Sequence, residues 1–261
     1  MRDGTFVQYD VSEHVAHVRL NRPAKLNAIT HEMDVELHGI WKSVNDDPDV
    51  WCAILSGAGE RAFCVGADIG QIDARETGEP VAFGGGLTGI GGPLLRLEKP
   101  LIAAVHGYCL GGGFELVMCA DMIVAADDTR FGLPETAAGI IGHCGVVHRA
   151  VRRLPHAIAM AMVLSDERLD ARSAERFGLV NAVVKAEELL RTALELASRV
   201  AACSPLANQA AKAAAICGLD ESLTDALAAR YPAIERYALT NDSKEAMQAR
   251  SQGRRPKWSG C

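Results

Sequence analysis

"KPLIAAVHGYCLGGGFELVMCADMIVAAD", residues 99–127, is the stretch whose reading decides the fold. "LIAAV" after Pro100 is a short unbroken apolar run of buried-strand length, ended by His106 and Gly107. Three consecutive glycines, 111–113, then open an apolar helix, and "DMIVAAD" reads as the next strand. Working outward, "VWCAILSG" (50–57) is an earlier buried strand ending at Gly57. Before it, "THEMDVELHGIWKSVNDD" (30–47) places Met33, Leu37, Ile40, Trp41 and Val44 on one helical stripe, with Thr30 as N-cap. "HVAHVRLNRP" (14–23) alternates as a half-buried strand does, and Pro23 stops it. Two strand–helix–strand units thus precede residue 125, which predicts an α/β fold with helices on mostly parallel strands.

"GPLLRLEKP" (92–100) reads as a helix ending before Pro100, and "GGGLTGIGG" (84–92), with no strand ahead of it, as a mobile loop rather than a phosphate loop. After Glu135 the chain is predicted mainly helical, over 145–154, 156–164, 170–177 and 186–202, interrupted by a short strand, "LVNAVV". From Ser204 onward Ala-rich helix predominates, and its apolar stripe calls for the main body or another subunit as cover.

Composition narrows the function classes. Of the 261 residues, 49% are hydrophobic and 23% charged, as in an ordinary globular protein. The net charge of −6 gives little electrostatic support for a general nucleic-acid surface, and leaves room for a local basic patch or an anionic ligand. Apolar runs stop well short of a membrane span, and "MRDGTFVQYD" has no apolar core of a signal peptide, so a cytoplasmic chain is expected. The eight cysteines form no CxxC pair and no ligand spacing recurs, so reduced core thiols are expected and no metal site.

Two segments share one design. In "AFCVGADIG" (62–70) and "HGYCLGGGFE" (106–115) a buried strand runs into small residues before the next element. Small residues admit a ligand to the backbone, and a helix start offers unpaired N–H donors. If the N–H groups of Ala67 and Gly112 meet, they form an oxyanion hole; each segment alone is equally a tight turn. Glu115 lies in the first helical turn, on a face shared with Met118 and Cys119. Glu135 follows Pro134, where it either opens a helix or serves as a second acid. Two partly buried carboxylates at one cleft divide acid and base roles, but spacing alone does not show that they meet.

"NRPAKLNA", "GAGERAFCVGADI", the 99–127 stretch and "FGLPETAAGI" together resemble the enoyl-CoA hydratase/isomerase (crotonase) superfamily, from about residue 10 to the C-terminus. "GGGFEL", "AFGGGLTGI" and "RRPKWSG" are most similar to its crotonyl-CoA hydratases and carnitinyl-CoA dehydratases. The resemblance implies a spiral of β-β-α turns over residues 1–200, carrying the CoA site. It implies a helical region over 201–261 that mediates trimerisation, with hexamers as pairs of trimers, and covers the active site. It also implies an acyl-CoA thioester held by the N–H groups of Ala67 and Gly112, with Lys25, Leu26, Ala28, Asp68, Ile69 and Gly70 along the CoA. Glu115 and Glu135 match the two hydratase glutamates, which implies water addition to a 2-enoyl thioester without metal or redox cofactor.

One departure concerns the acyl group. Where hydratases carry Gly-x-x-Pro-x-x-Gly-Gly, this chain has "GIIGHCGVVHR" (139–149): Gly142 replaces the proline and Val146 a glycine. His143 either reaches the acyl pocket as an acid/base or gate, or is a tolerated loop substitution. A carnitinyl-CoA dehydratase, a double-bond isomerase and a non-catalytic binding protein on the same fold are the competing readings. Retention of both acids favours hydration or dehydration.

Overall fold

Alternation of side chains along parallel strands builds the centre of the molecule. The computed structural model describes residues 2–3, 6–68, 70, 84–89, 94–142 and 144–261. The N-terminal half contains β1 (Arg2–Asp3), β2 (Val7–Ser12), β3 (Val15–Leu20), α1 (His31–Asp46), β4 (Cys52–Gly57) and β5 (Ala62–Cys64). It continues through β6 (Leu101–Val105), β7 (Tyr108–Leu110), α2 (Gly112–Val117), β8 (Met122–Ala126) and β9 (Arg130–Gly132). Then follow α3 (Val146–Arg153), α4 (His156–Ser165), β10 (Leu169–Asp170), α5 (Ala171–Arg176), β11 (Ala182–Val184) and α6 (Leu189–Ala201). The tail holds α7 (Pro205–Gly218), α8 (Leu223–Ala228), α9 (Pro232–Tyr237) and α10 (Asn241–Ser251).

The strands form two sheets, one of order β1-β2-β3-β4-β6-β8-β11 and one of order β10-β9-β7-β5. In the large sheet β3, β4, β6 and β8 are parallel, and Val18, Leu55, Ala103 and Ile123 stand in one row across them, buried in the main core. The opposite face carries Cys52, Ile54, Ile102 and Val124, closed over by Leu189, Ala193 and Ala197 of α6. Each of β4, β6 and β8 is followed by a short strand of the second sheet, so the chain winds as a spiral of β-β turns. At Gly107 the chain turns from one sheet to the other with φ +55°, and a Cβ there would lie 2.2 Å from the Arg61 carbonyl oxygen.

α1 forms as its stripe predicts: Thr30 caps it by accepting from the Met33 N–H, and Met33, Leu37, Trp41 and Val44 are buried. The reading of 92–100 as a helix is corrected: residues 94–100 are not helical. Their backbone groups are spent elsewhere, the Leu95 N–H on Gly86 and the Arg96 carbonyl and Glu98 N–H on the Asn45 side chain. The mobile-loop reading is also corrected for 84–89, which is packed between helices. The Gly84 carbonyl accepts from Trp41 Nε1 at 2.8 Å, and the Gly85 N–H donates to Asp34 Oδ1 at 2.8 Å.

The tail is fastened by polar side chains. Asp242 accepts from Ser204 Oγ at 2.9 Å and from the Ser259 N–H at 2.8 Å, and Lys212 Nζ donates to Asp121 at 2.7 Å. Asp242→Ala strands these donors and is expected to cost about 2–3 kcal/mol, read as a lower urea midpoint. Leu219, Leu223, Leu227, Leu239 and Met247 of the tail are all between 72% and 79% exposed on the single chain. Cysteines 52, 64, 109 and 144 are buried and Cys119 half-buried, as expected of core thiols, but Cys203, Cys217 and Cys261 lie exposed and depart from that expectation. No described helix is long and apolar enough to cross a membrane.

Candidate active site

Three segments meet at the edge of the second sheet. The first follows β3, where a 3-10 turn at Pro23–Lys25 leads into Leu26 and Asn27, both at positive φ. Asn27 makes that geometry tenable: it is buried, its Nδ2 donates to the Ala58 and Ala62 carbonyls, and its Oδ1 accepts from the Arg22 N–H. Lys25 is left exposed, Leu26 half-buried and Ala28 buried.

The second segment follows β5. The Ile29 N–H donates to the Gly66 carbonyl at 2.8 Å, and the Asp68 N–H to the Ile29 carbonyl at 2.9 Å. This bridge turns the N–H of the intervening Ala67 to the other side. Arg22 locks the two segments together by an ion pair to Asp68 at 3.0 Å, which holds the Asp68 carboxyl below its usual range. Gly70, exposed, donates to Asp68 Oδ1 at 3.2 Å. Ile69 and His143 lie outside the described residues.

The third segment is the start of α2. Gly112 is its first residue, so its N–H has no partner within the helix. Neither this N–H nor that of Ala67 finds a backbone acceptor among the described residues. Gly66 brings the two together: a Cβ on it would lie 2.9 Å from the Gly112 nitrogen.

The acids come from α2 and from the turn after β9. Glu115 is buried, and its Oε1 accepts from the Cys144 N–H at 3.0 Å and the Val146 N–H at 3.3 Å. Burial pushes its carboxyl upward, opposed by these two donors and by the Arg149 cation. Glu135 is pushed up to about 7, first by burial and further by the charge of Glu115. Its Oε2 is buried with no hydrogen-bond partner among the described residues. Both acids face one glycine: a Cβ on Gly142 would lie 3.2 Å from Glu115 Oε1 and 3.8 Å from Glu135 Cδ. A Cβ on Gly111 would lie 3.2 Å from Glu135 Oε1. The structure thus joins Glu115 and Glu135 to the Gly111–Gly112 turn, and that turn to Gly66–Ala67.

The raised acid carries a stability cost with a definite sign. Folded Glu135 keeps its proton to about pH 7, whereas an unperturbed carboxyl loses it near 4.5, so folding weakens as pH rises through that window. Glu135→Gln removes the titration. Its thermal midpoint is expected to match wild type near pH 4.5 and to exceed it at pH 8.

Sequence reasoning missed the residues that hold these groups. Arg22, Asn27 and Gly66 lay inside quoted motifs without a role, and the Cys144 and Val146 N–H donors had no side-chain signal. A glycine directly ahead of α3, Gly145 at φ +97°, is the one sequence mark of the turn that aims them.

The family profile described as enoyl-CoA hydratase/isomerase matches residues 10–260. The chain is 38% identical over 253 residues to a carnitinyl-CoA dehydratase of Proteus mirabilis, covering 94% of this chain and 95% of that one. It is 36% identical over 239 residues to a short-chain-enoyl-CoA hydratase of Clostridium acetobutylicum, covering 90% of each. The crystal structure of a protein assigned as a short-chain enoyl-CoA hydratase, from Novosphingobium aromaticivorans, superposes with a TM-score of 0.93 at 54% identity, over 98% of this chain and 99% of that one. With the profile spanning nearly its whole length, the chain belongs to the enoyl-CoA hydratase/isomerase family.

Proposed function

We propose that the protein is an enoyl-CoA hydratase, adding water reversibly to a 2-enoyl-CoA to give a 3-hydroxyacyl-CoA. The observation that carries this reading is the buried Glu115 and half-buried Glu135 facing Gly142, beside the N–H groups of Ala67 and Gly112, which find no backbone acceptor among the described residues. Water addition to the enoyl carbon puts negative charge on the thioester oxygen as an enolate, and two fixed N–H donors stabilise it. Glu115, with Oε1 held by peptide donors, orients and deprotonates the water. Glu135, whose carboxyl stays protonated up to about pH 7, delivers the proton to Cα. Lys25, Leu26, Ala28, Asp68, Ile69 and Gly70 contact the CoA. Both protons and the developing charge are handled by these groups, so the reaction needs no metal or redox cofactor.

The supporting experiment is loss of the conjugated-thioester absorbance of crotonyl-CoA on mixing with the purified protein. If wild type is inert on a panel of 2-enoyl-CoAs, the hydratase reading is wrong. The 38% identity to a carnitinyl-CoA dehydratase makes crotonobetainyl-CoA the second substrate in the panel. We also propose that residues 201–261 join subunits of a cytoplasmic homotrimer, two of which pair as a hexamer. The exposed leucines of the tail support this, and sedimentation equilibrium tests it: a monomer at micromolar concentration would refute it.

A further inference from the structure

We propose that Arg149 is a positioning residue that clasps the peptide holding Glu115 and ties it to the 84–89 segment. Its Nη1 donates to the Thr88 carbonyl at 2.8 Å and to the Cys144 carbonyl at 3.2 Å. Its Nη2 donates to the Leu87 carbonyl at 3.4 Å. Cys144 is the residue whose N–H, with that of Val146, binds Glu115 Oε1. Arg149 therefore grips the loop at one donor residue and two residues from the other.

Gly145 makes this grip possible. It stands between Cys144 and Val146 at φ +97°, and a Cβ on it would fall 1.9 Å from Arg149 Nη1 and 3.0 Å from the Thr88 carbonyl oxygen. The bare α-carbon lets the guanidinium fold back over the start of its own helix. A planar fork spans three carbonyls at fixed angles, which an ammonium does not. The titratable and charged groups around Glu115 are Glu135 from the turn after β9, Cys144 ahead of α3, Cys119 in the turn after α2 and Arg149 itself. Arg153, beside Cys119, and Asp34, toward Cys144, stand one step further out. Among these cations Arg149 is the one acting on Glu115 directly.

The inference rests on the assignment of Glu115 as the water-activating base, and three variants test it. Arg149→Met is expected to lower kcat on crotonyl-CoA on the order of tenfold or more, the equivalent of one lost charge-assisted hydrogen bond. KM stays within about threefold, because no substrate contact is removed. Without the cation Glu115 holds its proton longer, so the acid limb of kcat/KM moves to higher pH. Arg149→Lys keeps the charge and leaves the limb in place, while kcat still falls. Gly145→Ala lowers kcat with the arginine present. A folded Arg149→Met protein with wild-type kcat and acid limb would overturn the proposal. So would a loss of kcat accompanied by an unmoved limb, since that marks a purely structural role. Isotope-edited infrared titration of the Glu115 carboxyl, identified by its loss in Glu115→Gln, needs no turnover. It must show the upward shift in Arg149→Met even if the wild type proves inert on enoyl-CoAs, which separates failure of this inference from failure of the hydratase reading.

Discussion

Glu135→Gln lowers kcat for crotonyl-CoA hydration by about 10²–10⁴-fold, the range carried by one general acid or base, with KM changed only a few-fold. The amide keeps the shape of the carboxyl and removes its proton. The pH profile adds a second reading. With the carboxyl raised to about 7, hydration by wild type falls as pH climbs through neutrality, because the acid has lost the proton it must deliver. In dehydration the same group acts as base, and its limb inverts. Glu135 and Glu115 repel one another, so the limb reports an apparent value of the pair. Glu135→Gln should have no such limb. A variant retaining more than about half of wild-type kcat would remove Glu135 from the mechanism.

Gly66→Ala is the second large effect, expected at about 10²–10³-fold in kcat, the loss that follows when one oxyanion donor is blocked. The added methyl would stand 2.9 Å from the Gly112 nitrogen, where a thioester oxygen has to approach. The glycine also has φ +94°, so a backbone penalty of about 1 kcal/mol accompanies the block. Gly178→Ala separates the two contributions. It has φ +79° with nothing within 4 Å of the added carbon, so it carries the backbone penalty alone and leaves kcat at the wild-type level. If Gly66→Ala behaves as Gly178→Ala does, the Gly112 N–H does not serve the reaction.

Legibility followed the range of the interaction. The cap at Thr30 and the stripe of α1 are local, and both stand as read. β5, β7 and β9 are three residues each, too short to show a period, and exist because the neighbouring turn of the spiral supplies their hydrogen bonds. Residues 94–100 have leucines at helical spacing, yet Asn45 and Gly86 take their backbone groups. Glu115 and the glycine triplet stood out because each is locally expensive, an acid in an apolar run and three glycines opening a helix, whereas Glu135 after Pro134 read equally as a helix start. The turn that aims the Cys144 and Val146 donors carries no such cost in composition and stayed unread.

By itself the sequence determined the α/β class, the large sheet's central strands, the helix starts and the residue types available for chemistry. Those are set by periodicity, caps and the desolvation cost of single side chains, all of them local. Only the tertiary structure decided that Glu115 and Glu135 face one glycine and that Gly66 abuts Gly112. It also decided that Arg149 reaches across its own helix start to the 84–89 segment. Such juxtapositions depend on how successive turns of the spiral stack, and spacing along the chain does not encode distance across it.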